Sequence, residues 1–223
     1  MLSISLTSID KAEALRYMGW RGKPDKAMQV LMEECETLVR QTAQPKMTFR
    51  VVPLVKTENG LFAEKLPLAG KDIAKLLQDC EKVILMAATL SAQTDTLIQR
   101  TQVQDLTRAL AIDALASAGI EQVCQKAEQI FHAQLSQWYF TWRFSPGYGD
   151  LPLHIQTELL TMLDAGKRIG LTVTPECILI PRKSVTAIIG LSKTPLQKGT
   201  RGCTTCSMRE SCAYRQQGIS CAM

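Results

Sequence analysis

The sequence reads Arg143-Phe144-Ser145-Pro146-Gly147-Tyr148-Gly149-Asp150 between an aromatic stretch that predicts a strand over 138–144 and a predicted helix over 155–165. An arginine at a strand end can hold a carboxylate with two parallel hydrogen bonds. Pro146 stiffens the backbone, Gly147 lets a ligand approach it, and the ring of Tyr148 can cover a planar or sulfonium group. The loop therefore predicts a site for a small carboxylate-bearing ligand. The alternative from these residues alone is a Pro-Gly turn beside a surface arginine.

Helices and strands are mixed on both sides of this loop without a regular βαβ rhythm. Apolar residues at three- and four-residue steps, together with helix-start signals, predict helices over 8–20 with Ser8 as the cap, 24–42, 71–80 and 104–137, with Gly119 as a candidate kink. Strands are predicted over 47–55, 82–88, 177–181 and 185–191. Because Pro53 has no N–H, it indicates that 47–55 lies at a sheet edge. The pattern favours an α+β fold with a largely antiparallel sheet and one long helix.

Composition predicts a folded domain, since 46% of the 223 residues are hydrophobic and 21% are charged. No apolar run approaches the roughly 20 residues that cross a bilayer, and no basic stretch followed by an apolar block begins the chain. We therefore expect a cytoplasmic protein with no membrane partner. In a reducing compartment, the scattered Cys35, Cys80 and Cys124 are expected to be small buried hydrophobic residues.

The positive charge is concentrated at the C-terminal end of the chain. Of the net charge of +5, residues 192–223 carry +4, from five basic residues against Glu210, which leaves +1 for residues 1–191. This shift predicts a domain over 1–191 and a basic, cysteine-rich tail over 192–223. Such a tail favours an acidic partner protein. Nucleic acid is the weaker alternative and is not expected, because no basic stripe interleaved with aromatic residues continues into 1–191.

Four cysteines of the tail lie within 19 residues: Cys203, Cys206, Cys212 and Cys221. Four thiolates can hold zinc or an iron–sulfur cluster, so these residues predict a metal site. The alternatives are reactive thiols or a disordered tail, because a single C-x-x-C also serves redox exchange.

Common catalytic motifs are absent from the sequence. There is no G-x-G-x-x-G fingerprint, no G-x-x-x-x-G-K-[ST] loop, no H-E-x-x-H and no G-x-S-x-G. The only histidines, His132 and His154, lie in no motif that would make either one a nucleophile's base. These absences argue against common hydrolases and nucleotide-driven enzymes.

A wider set of residues resembles, in order and spacing, the C-terminal activation domain of cobalamin-dependent methionine synthase. The set comprises Arg143-x-x-Pro146-Gly147-Tyr148, Pro152, His154, Leu163-Asp164-Ala165, Ile169-Gly170, Thr174, Pro181 and Ser184-Val185. Ala109-Leu110-Ala111 and Asp113 resemble that domain's helix more weakly. The loop and Leu15-Arg16-Tyr17-Met18-Gly19 look most like stand-alone bacterial relatives of the domain.

The resemblance implies a twisted antiparallel sheet with S-adenosylmethionine as the ligand. It also implies a methyltransferase-type reactivation component, which gives a methyl group to reduced cobalamin on a partner while a donor such as flavodoxin or ferredoxin supplies one electron. The partner would be cobalamin-binding methionine synthase or another corrinoid protein. Because the homocysteine, folate and cobalamin modules are missing from the sequence, the chain is not expected to make methionine alone.

The same resemblance assigns roles to individual residues. Arg143 would pair with the methionyl carboxylate, Pro146, Gly147 and Tyr148 would contact the ligand, and Asp113 would be an auxiliary polar contact. No side chain is expected to act as a catalytic acid or base, since the protein would contribute proximity and orientation. Ser117 and Pro175 depart from the family, which commonly has glutamates at these positions.

Two other functions are compatible with the sequence. The first is a non-catalytic metal-binding adaptor, in which the C-terminal cysteines and basic charges dock a partner and the Arg143 loop is structural. The second is a small-molecule or corrinoid sensor built on the same fold. Binding of S-adenosylmethionine that depends on Arg143 would separate the reactivation function from the adaptor.

Overall fold

The computed structural model describes residues 2–58 and 60–196, together with 210 and 216. The α-helices named here are α1 (Lys11–Tyr17), α2 (Lys26–Thr42), α3 (Lys71–Leu76), α4 (Ala92–Gln104), α5 (Leu106–Gln134), α6 (Ile155–Met162) and α7 (Ala165–Ile169). The strands are β1 (Leu2–Ser3), β2 (Lys46–Thr57), β3 (Gly60–Ala63), β4 (Leu66–Pro67), β5 (Lys82–Thr89), β6 (Tyr139–Phe140), β7 (Thr172–Val173), β8 (Leu179–Ile180) and β9 (Ser184–Ser192).

One sheet contains most of these strands, in the order β4-β3-β2-β5-β9-β6, and β1 pairs with the start of β2. The pairs β2–β3, β3–β4 and β6–β9 are antiparallel. The middle strand β5 is buried from Val83 to Thr89, as a strand covered on both faces must be. Strands β7 and β8 form a separate antiparallel pair. Together with the 29-residue helix α5, this arrangement confirms the predicted α+β class with a largely antiparallel sheet.

The chain divides into two compact units, each assembled from three segments. Unit 1 contains Met1–Arg50, Met86–Gln134 and Gln156–Thr186, and unit 2 contains Val51–Leu85, Leu135–Ile155 and Ala187–Met223. The sequence predicts instead a domain over 1–191 and a tail over 192–223. That division stays a prediction, because most of 192–223 lies outside the described residues.

Unit 1 is organised around α5, against which α1, α2 and α4 pack. The buried face of α5 is rich in small residues, and its alanines let neighbouring side chains approach the helix closely. At Gly119 a Cβ would lie 3.2 Å from Cδ2 of Leu6 and 3.7 Å from Cδ1 of Leu90. Gly119, predicted as a candidate kink, therefore lies where α5 is closely covered.

The long helix begins later than the sequence predicts, because Asp105 separates it from α4. Asp105 has an extended backbone with φ −151°, which ends α4. Its carboxylate then accepts a hydrogen bond from Arg108 N at 2.9 Å and caps the first turn of α5. The predicted helix over 104–137 is thus Leu106–Gln134, and α4 is a helix that the sequence pattern does not predict.

The first two helices begin at aspartates rather than at the predicted residues. The predicted cap Ser8 is wrong, since Asp10 caps α1 through bonds from Ala12 N and Glu13 N. For α2 the cap is Asp25, whose carboxylate accepts from Met28 N at 2.8 Å. A carboxylate binds free amide groups at a helix start more strongly than a hydroxyl does, because its charge also interacts favourably with the helix dipole.

The prediction that Pro53 places its strand at the sheet edge is also wrong, since β2 lies between β3 and β5. The Pro53 carbonyl accepts from Glu64 N at 2.9 Å, just beyond the end of β3. In an antiparallel ladder the N–H and C=O of one residue face the same neighbour. The missing N–H of Pro53 therefore faces a position where β3 has ended, so no ladder hydrogen bond is lost.

Smaller elements differ in length from the predictions. The predicted helix 71–80 is α3, Lys71–Leu76, and the helix predicted over 155–165 is α6, which ends at Met162 before the separate short helix α7. The aromatic strand over 138–144 is reduced to β6 and an isolated bridge at Phe144. In the ranges that the structure describes, no helix has the length and apolar character of a membrane span.

Candidate functional site

The loop at 143–150 belongs to unit 2 and is attached to β9 where it begins. Phe144 N donates to Ile188 O at 2.9 Å, and Ile188 N donates back to Phe144 O at 2.8 Å. Three residues before Phe144, Thr141 N donates to Gly190 O at 3.0 Å, and Thr141 Oγ1 accepts from Gly190 N at 2.7 Å. These four bonds fix the backbone on either side of Arg143, which is itself half-buried.

Hydrogen bonds within the loop shape its turn. Tyr148 N donates to Ser145 O at 3.0 Å, Leu151 N donates to Tyr148 O at 3.0 Å, and Gly147 N donates to Leu151 O at 2.9 Å. Gly147 has φ +88°, a conformation that side chains disfavour. The glycine is therefore required here by the turn itself.

The turn buries one of the predicted site residues and exposes another. Pro146 is buried, whereas the Tyr148 side chain is 55% exposed. The Tyr148 ring meets Phe144 edge-on, with centroids 6.3 Å apart and planes at 78°. The structure thus brings Arg143, Pro146, Gly147 and Tyr148 together on one braced loop. An arginine and an exposed aromatic ring are residue types that bind a carboxylate and a planar or cationic group.

The end of this loop is tied to the start of α3 by Asp150, a residue to which the sequence analysis assigned no role. Its carboxylate accepts from Lys71 N at 2.6 Å and from Asp72 N at 3.1 Å. The cap residue of α3 is Gly70, which has no side chain to accept these bonds. The signal in the sequence is the glycine that precedes this predicted helix. Because glycine has no capping side chain, it indicates that the cap comes from elsewhere in the chain.

Asp113, the auxiliary ligand contact predicted from the resemblance, lies on α5 in unit 1 and is ion-paired. Its Oδ1 is 2.8 Å from Nζ of Lys183. The same ammonium donates to Oγ of Ser117 at 2.8 Å, and that hydroxyl donates to Asp113 O at 3.0 Å. Lys183 was not predicted as a site residue. Within unit 1 the structure brings Asp113 together with Lys183 and Ser117.

The scattered cysteines are buried as the sequence predicts: Cys35, Cys80 and Cys124 are at most 3% exposed. Burial raises the pKa of the Cys80 thiol to about 11, and burial likewise raises the pKa of Cys35. Both thiols are therefore protonated near neutral pH, which agrees with a packing role.

The predicted metal ligands Cys203, Cys206, Cys212 and Cys221 all lie outside the described residues. Within 2–58 and 60–196, no group of three or more His, Cys, Asp or Glu side chains is placed to hold a metal ion. The metal site in the tail consequently stays a prediction from the sequence.

Comparison with known proteins gives matches among solved structures. No family model and no curated protein matches the chain. Among solved structures, the chain is similar to the MetH reactivation domain bound to AdoHcy, with a TM-score of 0.66 and 14% identity over 98% of this chain and 85% of that chain. At this identity the likeness concerns the fold. The fold implied by the sequence resemblance is confirmed: this chain has the fold of the MetH reactivation domain.

Proposed function

We propose that this protein binds S-adenosylmethionine and serves as a reactivation component for a cobalamin-dependent methyltransferase such as methionine synthase. One observation carries the proposal: the braced loop with half-buried Arg143 and exposed Tyr148 occurs on the fold of a domain solved with AdoHcy. AdoHcy is the molecule that remains when S-adenosylmethionine has given up its methyl group. The loop motif and the fold are separate lines of support for the same ligand.

Each loop residue has a specific task in this proposal. The Arg143 guanidinium pairs with the carboxylate of the methionyl group, where two parallel hydrogen bonds set its orientation. The exposed face of Tyr148 attracts the sulfonium cation through the ring's negative surface. Gly147 leaves the backbone open to the ligand, and Pro146 is packed beneath the turn. The auxiliary contact from Asp113, which is ion-paired with Lys183 in unit 1, stays a prediction from the resemblance.

In this reaction the main task of the protein is to orient the methyl group. The methyl acceptor is the reduced cobalamin of a partner protein; the methyl carbon's bond to sulfur breaks as its bond to cobalt forms, and AdoHcy leaves. One electron from a redox partner such as flavodoxin or ferredoxin first reduces the oxidised cobalamin. Because no proton is transferred in this displacement, the side chains of this protein need only hold the methyl group in line for attack.

Anaerobic calorimetric titration with S-adenosylmethionine tests the proposal. Wild type should bind saturably, and Arg143→Ala should weaken binding by about 2 kcal/mol, about 30-fold in Kd. This is the lower end of the usual range, because Arg143 is only half-buried. Arg143→Lys should recover part of the loss, since it keeps the charge but not the planar fork.

Arg100→Ala is the matched control, because Arg100 is an exposed arginine on α4 that has no place in the proposed site. Its affinity should equal that of wild type. Absence of binding by wild type at millimolar ligand would refute the proposal. If the same sample carried zinc or iron, the metal-binding adaptor would become the better function.

A further inference from the structure

We propose that Asp150 is a positioning residue for the ligand loop: it clasps the loop to the start of α3 and so presets the geometry of Tyr148 and Arg143. This inference rests on the proposed function, because it concerns the same binding site. Its basis is the contact between two segments, Gly70–Asp72 and Gly149–Asp150, which are brought together within unit 2.

The clasp replaces a local helix cap with one from 79 residues away. Helix α3 starts after Gly70, so its first N–H groups have no side-chain acceptor nearby in sequence. Both oxygens of Asp150 are used: Oδ2 accepts from Lys71 N at 2.6 Å and Oδ1 accepts from Asp72 N at 3.1 Å. A carboxylate held by two neighbouring amides cannot rotate freely, so the backbone that carries it is held as well.

Glycines on both sides make this close approach possible. A Cβ on Gly70 would lie 2.6 Å from Oδ1 of Asp150 and 3.2 Å from its carbonyl oxygen. A Cβ on Gly149 would collide with the carboxylate of Asp72, and Gly149 has φ +51°. Larger residues at either position would push the two segments apart. The pairing is therefore built into the backbone as well as into the carboxylate.

Asp150 lies in the same turn as Tyr148. Tyr148 O accepts from Leu151 N, and Gly147 N donates to Leu151 O, so the backbone on both sides of Asp150 is bonded into the same turn. With the Phe144–Ile188 pair at one end and Asp150 at the other, the loop is held at two separate points. Losing the second point would leave Tyr148 to be ordered by the ligand, which lowers affinity.

A positional role can be separated from a stability role, because Asp150 and its two hydrogen bonds are exposed. Exposed bonds of this kind contribute little to global stability. We therefore expect Asp150 variants to lose affinity while their unfolding midpoints stay close to that of wild type.

The test uses Asp150→Ala and Asp150→Asn in the full chain, with Asp79→Ala as the matched control, an exposed aspartate of the same unit. Hydrogen exchange of the ligand-free protein should speed up in 70–76 and 143–151 together in Asp150→Ala. Calorimetry with S-adenosylmethionine should show a Kd about tenfold higher for Asp150→Ala. The increase should be smaller for Asp150→Asn, whose amide oxygen can still accept one bond, and Asp79→Ala should match wild type.

The outcomes are distinguishable. Faster exchange in both segments with weakened binding and an unchanged unfolding midpoint would support the inference. Unchanged Kd in Asp150→Ala, when wild type binds, would overturn the role of Asp150 but leave the proposed function standing. Failure of wild type itself to bind would overturn both, because no ligand geometry would remain for Asp150 to preset.

Discussion

The ion pair between Lys183 and Asp113 has two unequally exposed partners, and this inequality predicts which variant destabilises the protein more. The Lys183 side chain is 13% exposed, whereas that of Asp113 is 48% exposed. Removing the carboxylate leaves a mostly buried ammonium without its counter-charge. Removing the ammonium leaves a carboxylate that water can reach. We predict that Asp113→Ala is clearly destabilising and that Lys183→Met is nearly neutral.

The magnitude follows from the 2.8 Å separation of Lys183 Nζ and Asp113 Oδ1. Two unit charges at that distance attract by about 1.5 kcal/mol at the dielectric constant of water and by about 6 kcal/mol at an effective value of 20, before desolvation is subtracted. Leaving a buried polar group without an acceptor costs about 1–3 kcal/mol. Since Ser117 Oγ still accepts one bond from Lys183, we expect a loss of about 2 kcal/mol for Asp113→Ala.

Lys183→Met keeps the apolar stem and removes the charge, so it should cost about 0.5 kcal/mol or less. For a chain of this size each kcal/mol shifts the melting temperature by about 2–4 °C. The expected decreases are therefore about 4–8 °C for Asp113→Ala and about 2 °C or less for Lys183→Met. Differential scanning calorimetry at pH 7, without ligand, measures both.

The pair Arg108–Glu34 is the matched control, because its partners are exposed to a similar degree, 33% and 52%. Arg108→Met and Glu34→Ala should each produce small and nearly equal shifts. A decrease for Lys183→Met as large as that for Asp113→Ala would refute the reasoning, because it would mean that the pair as a whole, and not the buried ammonium, sets the cost.

Three further predictions concern other parts of the chain. Burial acts to raise the pKa of Glu36, but bonds from Ile9 N–H and Lys11 outweigh it and lower the pKa below 4.5. The ionised Glu36 therefore stabilises the folded state above pH 4.5, and this contribution is lost as the pH falls through the lowered pKa. Glu36→Gln should thus flatten the acid side of the profile of unfolding free energy, measured with urea, against pH. A Cβ on Gly190 would lie 2.5 Å from Cys80 Sγ, so Gly190→Ala should destabilise by about 1–3 kcal/mol. The helical Gly166→Ala should not destabilise, because its Cβ would meet only Cγ2 of Thr172 at 3.9 Å, an ordinary van der Waals contact. Equal urea midpoints for the two variants would contradict this prediction. Anaerobically purified protein should contain zinc, or iron with sulfide, and should lose it in Cys206→Ser; metal-free wild type would remove the tail site.

Local patterns in the sequence predicted much of the fold. The apolar steps of α2 and the apolar run of β5 indicate a helix and a strand from local pattern alone, and both were placed to within about two residues. The loop at 143–150 was also recognisable, because proline and glycines specify a turn wherever they occur. These elements depend on neighbours along the chain, which a single sequence displays.

The unpredicted features depend on contacts between distant residues. The place of β2 inside the sheet follows from where β3 ends, and Pro53 alone does not reveal it. In unit 1, Lys183 reaches Ser117 across 66 positions, and in unit 2 Lys71 reaches Asp150 across 79. A charged side chain on a surface turn looks the same in sequence whether it meets water or a partner. Such partners become visible only when the fold brings them together.

The interleaved segments of the two units bear on how the chain is synthesised. Unit 1 needs residues as late as Thr186, and unit 2 needs strand residues beyond Ala187. A growing polypeptide folds from its N-terminal end when its domains are continuous, but here unit 1 is not complete until Thr186 has emerged from the ribosome, and unit 2 also needs residues beyond Ala187. Folding of both units should therefore occur almost together, after β9 has emerged from the ribosome.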